Sequence, residues 1–211
     1  MTARPEADRA VEVRFHGRGG QGVVTAAELL STAAFDQGRS AQAIPSFGSE
    51  RTGAPVVAYC RVSDRPIRSH DPVTRPDVVV VQDPTMLQVP GILDGLRPDG
   101  LLLVNSTKAP EDLGLVGHHG RVVTVAATDL ARARLGRPLP NTALLGALAG
   151  LTDVVSLASV QGAIRGRFRG EAAELNAALA ADGHALALGH DPTTTTTDST
   201  TSQEVSRAQA G

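Results

Sequence analysis

Residues 11–37 read VEVRFHGRGGQGVVTAAELLSTAAFDQ, and the succession of patterns in these residues indicates the fold class. In its first part, the apolar residues Val11, Val13 and Phe15 alternate with polar ones, which is typical of a half-buried β-strand. Residues 17–22, which we call the glycine turn, interrupt the alternation. Apolar residues then recur at helical spacing to the end of the stretch. The order of strand, glycine turn and helix predicts the first unit of an α/β domain.

The rest of the chain continues this alternation of strands and helices. Residues 77–81 (DVVVV) and 101–104 (LLLV) are continuous apolar runs, which are typical of strands buried on both faces of a parallel sheet. Further strands are predicted at residues 41–44, 54–62 (one arm of a hairpin that turns at residues 64–66) and 122–126. Helices are predicted at residues 23–37, 128–135, 141–151, 156–168 and 171–188. We therefore expect a single Rossmann-like α/β domain with an open, mostly parallel sheet flanked by helices.

The two ends of the chain differ in composition from this domain. Residues 1–10 are expected to form a flexible leader, and residues 11–190 the folded domain. Residues 191–211 contain an unbroken threonine run at 193–197 and show no periodicity. Because this Thr/Ser-rich tail offers little apolar area to offset the entropy of ordering it, we expect it to be disordered.

Composition excludes several classes of function. The chain has 211 residues, a formal net charge of −2 and only five aromatic side chains, which argues against a nucleic-acid binder. No apolar run approaches the roughly 20 residues that span a bilayer, and the polar amino terminus is not a signal peptide, so we expect a cytoplasmic protein. The single cysteine, Cys60, is expected to be a small buried residue and cannot hold a cluster or a zinc ion alone. His118 and His119 are expected in a solvated turn, and no metal site is predicted.

The glycine turn is open to three interpretations. Gly17, Gly19 and Gly22 satisfy the G-x-G-x-x-G pattern of dinucleotide-binding folds, and a helix amino terminus after them suits an anion. An NAD site also needs a carboxylate at the end of the second strand, but that strand ends at Pro45 without one. An anionic ligand or a partner subunit is therefore favoured over NAD, and a purely structural turn stays open.

A second segment, residues 44–55 (IPSFGSERTGAP), combines prolines, glycines and charges in a loop that is costly to order. If it follows the second strand, it lies beside the glycine turn, where the carboxyl ends of the strands gather. Residues 51–76 also hold an excess of arginine, which suits phosphates or an acidic partner but is equally typical of a solvated face; these arginines are Arg51, Arg61, Arg65, Arg68 and Arg75. Asn105 and Asn141 are predicted at strand and helix ends, as helix caps or ligand contacts.

Five segments together resemble one known family. GRGGQG, PSFGSERTGAPVVAYCRVSDRPI, DVVVVQDPTML, LLLVNS and NTALLGAL are similar to the gamma subunits of pyruvate:ferredoxin oxidoreductases, within the 2-oxoacid:acceptor oxidoreductases. The resemblance runs over about residues 11–188. The small subunit of the related indolepyruvate enzyme has Ser-Gln-Arg-Gly-Gly where this chain has SERTG at residues 49–53, which favours the pyruvate or branched-chain type.

The resemblance implies a subunit of a complex that oxidatively decarboxylates a 2-oxoacid, giving acyl-coenzyme A, CO2 and reduced ferredoxin. In that family, thiamine diphosphate with Mg²⁺ and the iron–sulfur clusters belong to the alpha, beta and ferredoxin-like delta subunits, and the gamma domain is associated with coenzyme A. This chain would then hold no catalytic residue. The residues expected to contact coenzyme A are Gly17, Arg18, Gly19, Gly20, Gln21, Gly22, Ser46, Phe47, Glu50, Arg51, Asn105 and Asn141. The alternatives are a stand-alone NAD(P)-binding protein and a scaffold subunit.

Overall fold

The computed structural model describes residues 9–45, 53–69, 71–115 and 120–189. Its strands are β1 (Val11–Arg18), β2 (Ser40–Pro45), β3 (Pro55–Ser63), β4 (Val78–Val81), β5 (Leu101–Asn105) and β6 (Arg121–Val125). Its α-helices are α1 (Val23–Asp36), α2 (Ala127–Leu135), α3 (Asn141–Leu151), α4 (Leu157–Arg167) and α5 (Glu171–Leu188). The α/β class predicted from the periodicity is confirmed.

Local sequence signals set the ends of these elements. α3 and α5 have the predicted bounds, because their apolar periodicity is uninterrupted and turn residues flank them. α1 ends where Gly38 adopts a φ of 78°, a conformation that favours glycine. The Gly38 N–H donates to the carbonyl oxygen of Phe35 over 2.8 Å and so closes the last turn of the helix.

The sheet has the strand order β2-β3-β1-β4-β5-β6. β1, β4, β5 and β6 are parallel, whereas β3 is antiparallel to both β2 and β1. β3 pairs with the preceding strand β2 and, through its other edge, with β1. The hairpin expected to turn at residues 64–66 is therefore wrong, because the next strand, β4, pairs with β1 and β5 instead. β3 therefore separates the first two strands, which are neighbours in a dinucleotide-binding Rossmann sheet.

The two faces of the sheet are covered differently. All five α-helices contribute to a core on one face, where they pack against β1, β3 and alternate residues of β4 and β5. On the other face, Val79, Val81 and Leu102 pack against Met86 and Ile92, which lie in the connection between β4 and β5. Because that connection is rich in proline and glycine, it forms a short 3-10 turn (Pro84–Gln88) rather than an α-helix. β4 and β5 are thus buried on both faces, as their continuous apolar runs predict.

α3 and α5 cross with their backbones in contact. A Cβ on Gly146 would overlap the carbonyl oxygen of Ala180, and one on Gly183 would overlap that of Ala143. Cys60 is fully buried on β3, as predicted, and burial raises the pKa of its thiol. Within the described ranges, no helix is long and apolar enough to cross a membrane.

Candidate functional site

The glycine turn connects β1 to α1 at the carboxyl edge of the parallel strands. Gly20 and Gly22 have φ angles of 93° and 75°, which side chains with a Cβ rarely adopt. A Cβ on Gly17 would lie 2.7 Å from Val23 Cγ2, and a Cβ on Gly22 would lie 2.6 Å from Asn141 Nδ2. By contrast, no described atom lies within 4 Å of the Cβ position at Gly20. Gly17 and Gly22 are needed for packing, whereas the Cβ position of Gly20 meets no atom of the described residues.

Part of the turn's backbone is hydrogen bonded within the chain. The Gly19 N–H donates to the Ala54 oxygen over 2.9 Å, and the Gly19 oxygen accepts from the Gly53 N–H over 3.2 Å. The Gln21 N–H donates to the Arg18 oxygen, and the Arg18 N–H donates to Gln21 Oε1 over 2.8 Å. These N–H groups of residues 18, 19 and 21 are unavailable to an anion. An anion at the turn would instead meet the amino terminus of α1, which has no side-chain cap.

Arg18 ties the turn to the end of β4. Its Nη2 and Nε donate to Thr85 Oγ1 over 2.7 and 3.2 Å, and its Nη1 donates to the Gly53 oxygen over 3.1 Å. Its Nε also lies 3.3 Å from Asp83 Oδ2, which accepts a hydrogen bond from Gln21 Nε2 over 3.0 Å. The guanidinium therefore braces the edge of the site, with part of its charge balanced by Asp83.

The pKa of Asp83 is set by opposing effects. Burial alone would raise it, but hydrogen bonds from Thr85 and Gln21 and the charge of Arg18 together lower it. Asp83 thus stays ionised beside the turn. The sequence alone does not single out Asp83 or Thr85; their position directly after a buried strand of the parallel sheet is the available signal.

Asn105 is a helix cap that acts across the edge of the sheet. Its Oδ1 accepts from the Thr128 N–H over 3.0 Å, and its Nδ2 donates to Thr128 Oγ1 and to the Gln82 carbonyl oxygen, each over 2.7 Å. The side chain that caps α2 therefore comes from the end of β5, since Ala126 at the N-cap position has no capping group. The prediction that Asn105 caps a helix is confirmed.

Asn141 does not cap its helix, so that prediction is wrong. Pro140 occupies the N-cap position of α3, and no side chain caps this terminus. The amide of Asn141 instead lies against Gly22, whose missing Cβ leaves room for it. The amino termini of α1 and α3 therefore meet at the glycine turn.

Gln82 is a buried polar residue at the base of the site, and no local pattern in the sequence predicts its role. It follows β4, is 1% exposed, and its Cβ would lie 3.2 Å from a Cβ on Gly17. Neither Oε1 nor Nε2 has a hydrogen-bond partner in the described part of the chain. A buried amide without a hydrogen bond costs free energy. A polar group bound at this position would therefore be stabilised by hydrogen bonding to Gln82.

A cavity of about 650 Å³ extends the site along the carboxyl ends of β4, β5 and β6. Thr85 and Asn105 both line the cavity. Because Thr85 also accepts a hydrogen bond from Arg18, the cavity adjoins the glycine turn. Its lining also includes the hydroxyl-bearing Ser106, Thr107 and Thr128, the basic Lys108 and Arg132, and the acidic Asp112 and Asp129. Its volume falls in the range of small-molecule sites, roughly 300–1,000 Å³.

Several predicted residues cannot be placed. Ser46, Phe47, Glu50 and Arg51 lie outside the described residues, as do His118 and His119. The segment that holds the first four is flanked by the end of β2 at Pro45 and by Gly53, which is hydrogen bonded to the turn. Their contribution to the site stays a prediction.

His16 immediately precedes the glycine turn on β1 and is 5% exposed. Neither ring nitrogen has a hydrogen-bond partner among the residues described. Burial, with a smaller effect from the nearby charge of Arg14, lowers the pKa of His16 to about 4. The imidazole is therefore neutral at physiological pH.

Comparison with known proteins bears on all of these elements. Residues 12–186 match the family model described as pyruvate ferredoxin/flavodoxin oxidoreductase. The chain is 51% identical over 154 residues to "Pyruvate synthase subunit PorC" of Methanosarcina barkeri, covering 73% of this chain and 84% of the relative. It is 48% identical over 172 residues to "Pyruvate/ketoisovalerate oxidoreductases common subunit gamma" of Thermococcus kodakarensis, covering 81% and 93%.

A solved structure agrees with these sequence matches. The crystal structure of pyruvate oxidoreductase subunit PORC from Thermotoga maritima superposes with a TM-score of 0.76 at 38% identity. The match covers 84% of this chain and 97% of that one. The chain therefore belongs to the pyruvate ferredoxin/flavodoxin oxidoreductase family.

Proposed function

We propose that this chain is the gamma subunit of a pyruvate, or related 2-oxoacid, ferredoxin oxidoreductase, and that it completes the coenzyme A side of the active complex. The observation that carries the proposal is the family match over residues 12–186, which runs from the second residue of β1 to the last turn of α5. The relatives named as PorC and as a common gamma subunit support the subunit assignment.

The chemistry of bond cleavage belongs to partner subunits in this proposal. Thiamine diphosphate with Mg²⁺ supplies the carbanion chemistry, and iron–sulfur clusters carry the electrons to ferredoxin. Since clusters need several cysteine ligands and Cys60 is the only cysteine of this chain, we assign these groups to alpha, beta and ferredoxin-like delta subunits. A cytoplasmic location is part of the same proposal.

The coenzyme A contacts are proposed at the glycine turn and the adjoining cavity. The uncapped amino terminus of α1 suits a phosphate group, and the open space at Gly20 allows an approach to the backbone. The unpaired amide of Gln82 at the base of the turn fits a site that a ligand or a partner completes. Arg18 would act from the rim, because Thr85 and Asp83 already hold its guanidinium.

The topology disfavours a stand-alone NAD(P)-binding protein. In a dinucleotide-binding sheet, the second strand lies beside the first and brings a carboxylate to the ribose hydroxyls. Here β3 lies between β1 and β2, and β2 ends at Pro45. The separation of β2 from β1 argues against an NAD(P) site more strongly than does the absence of a carboxylate at the end of β2.

Reconstitution tests the proposal. We expect the isolated chain, supplied with thiamine diphosphate, Mg²⁺ and coenzyme A, to show no pyruvate-dependent viologen reduction. Adding it to the alpha, beta and delta subunits should restore coenzyme A-dependent acyl transfer. Viologen reduction by the chain alone would overturn the assignment. So would a complex that forms acyl-coenzyme A at full rate without this chain.

A further inference from the structure

Asp83 connects the glycine turn to the neighbouring strand. Val81, the last residue of β4, pairs with His16 on β1, so Asp83 comes level with Arg18 at the start of the turn. The Asp83 side chain is 15% exposed. Its Oδ1 accepts hydrogen bonds from the N–H and from the hydroxyl of Thr85, over 3.0 and 2.6 Å. These two bonds fix the carboxylate and leave Oδ2 to face the turn.

Oδ2 of Asp83 holds two residues of the glycine turn. It accepts a hydrogen bond from Gln21 Nε2 over 3.0 Å and lies 3.3 Å from Arg18 Nε. The other end of the Gln21 amide, Oε1, accepts the Arg18 N–H over 2.8 Å, and the Gln21 N–H donates to the Arg18 carbonyl oxygen over 3.1 Å. Because both ends of the Gln21 amide are used, reversing it would place Oε1 against the carboxylate. Asp83 therefore fixes the conformation of residues 18–21 through the side chain of Gln21.

Gly20 is the residue of this turn whose backbone stays available. Its N–H donates to no acceptor among the described residues, and it lies beside the uncapped amino terminus of α1. Because glycine has a wide range of backbone conformations, the direction of this N–H depends on its two neighbours. Gly19 is held by the backbone of residues 53–54, and Gln21 is held by Asp83. A ligand that meets a turn already in its bound conformation avoids the entropy cost of ordering it.

We propose that Asp83 is a positioning residue for coenzyme A, whose carboxylate holds Gln21 and Arg18 so that the Gly20 N–H and the amino terminus of α1 face a phosphate group before it binds. This inference rests on the proposed function of the glycine turn. Asp83 acts through Gln21 and does not contact the phosphate, since two anions repel each other. The Arg18 guanidinium beside Oδ2 offsets part of that repulsion.

Asp83→Asn removes this hold without changing the size of the side chain. In either orientation of the new amide, its NH2 group faces a donor, because Thr85 N–H lies on one side and Gln21 Nε2 on the other. The Gln21 amide cannot reverse to compensate without losing its bond to the Arg18 N–H. In the isolated full chain, we expect the Arg18 amide hydrogen to exchange about tenfold faster, the effect of losing one hydrogen bond. Hydrogen exchange followed by NMR measures it.

Kinetics of the assembled complex test the consequence for coenzyme A. Asp83→Asn should raise the KM for coenzyme A about tenfold, since binding must now order roughly one residue of backbone. It should leave kcat unchanged, because the turn is ordered once coenzyme A is bound. Asp64→Asn is the matched control: Asp64 also accepts a hydrogen bond from an arginine, Arg39, over 2.7 Å, but it follows β3 at the other end of the sheet. This control should change neither the exchange at Arg18 nor the KM.

A double variant tests the direction of the hydrogen bonds. In Asp83→Asn/Gln21→Glu, the carboxylate at position 21 can accept both the Arg18 N–H and the new amide N–H at position 83. Slow exchange at Arg18 should therefore return, although the same asparagine is present. Exchange that stays fast would overturn the assignment of Gln21 as the link between Asp83 and the turn.

Three further results would overturn the proposal. They are unchanged exchange at Arg18 in Asp83→Asn, faster exchange without a rise in the KM for coenzyme A, and a fall in kcat without a rise in the KM. Gly20→Val, which obstructs the turn directly, separates this failure from that of the proposed function. If Gly20→Val raises the KM and Asp83→Asn does not, the positioning role of Asp83 alone is wrong. If neither variant raises it, the role of the turn in binding coenzyme A is wrong as well.

Discussion

Gly20 and Gly22 share a left-handed backbone conformation but serve different purposes. At Gly22 the missing Cβ makes room for the amide of Asn141, so the amino termini of two helices meet. At Gly20 the corresponding position faces open space, and glycine is required there only by φ. A side chain at Gly22 would therefore disturb packing. A side chain at Gly20 would obstruct a ligand or a partner subunit that approaches the turn.

The buried side chain of His16 makes the stability of the folded chain depend on pH. The pKa of His16 in the folded chain is about 4, against an ordinary value of 6.5. Below pH 6.5 the unfolded chain binds a proton that the folded chain does not, so stability falls as the pH is lowered. Because of this difference in pKa, the free energy of unfolding is about 3 kcal/mol higher above pH 6.5 than at pH 4.

His16→Gln should remove this dependence. We expect urea unfolding of the two proteins to show a difference in free energy that shifts by about 3 kcal/mol between pH 7 and pH 4, in favour of the variant at low pH. Carboxylates common to both proteins cancel in the comparison. Parallel stability curves over this range would show that His16 takes up a proton in the folded chain.

Among the elements, the contact between α3 and α5 depends most on small residues. Gly146 and Gly183 each face a backbone carbonyl of the other helix, so neither has room for a methyl group. Gly162 in α4 is a helical glycine with no described atom within 4 Å of its Cβ position. The same substitution should therefore have opposite effects at the two kinds of site.

Gly146→Ala should destabilise the chain by at least about 2 kcal/mol, because the helices must move apart. Gly162→Ala should stabilise it by roughly 0.5–1 kcal/mol, because alanine is the better helix former and nothing obstructs it. Denaturant unfolding of both variants measures the two effects. Similar changes at both positions would contradict the close crossing of α3 and α5.

The helices and strands also show which parts of the fold can be predicted from residues that are neighbours along the chain. The periodicity of residues 141–151 and 171–188 predicts α3 and α5 to the residue, since helix ends depend on neighbours along the chain. The insertion of β3 between β2 and β1 could not be predicted, because strand pairing joins residues far apart and leaves no local pattern. For the same reason the cap of α2 by Asn105 could be predicted only as a cap, without its helix.

The site follows the same rule. The glycine turn is recognisable because its conformation demands glycine locally. Gln82, Asp83 and Thr85 acquire their roles only when β4 lies beside β1, which no pattern around them reveals. The arginines of residues 51–76 are a compositional excess in the sequence, and only the fold shows that Arg61, Arg65 and Arg68 line one cavity.

At the level of the whole molecule, the two cavities lie at opposite ends of the strands of one sheet. The glycine turn and its cavity lie at the carboxyl ends of the parallel strands, and a second cavity, lined by residues from the start of β1 and the end of β3, lies at the other end. All five α-helices of the described chain pack into the core on one face of the sheet. Under the proposed function, the carboxyl ends of the strands are the part of this chain that would face the active site of the complex.

We propose that the glycine turn serves coenzyme A in the assembled complex, and a matched pair of variants tests this role. Gly20→Val and Gly38→Val place the same side chain at a positive φ with no described atom within 4 Å, so both carry a similar strain of ~1–3 kcal/mol. In complexes verified as assembled, Gly20→Val should raise the KM for coenzyme A about tenfold, equivalent to ~1.4 kcal/mol. Gly38→Val should leave it unchanged, because Gly38 lies at the far end of α1. An equal KM in both variants, or loss of assembly with Gly20→Val alone, would show that the role of the turn is purely structural.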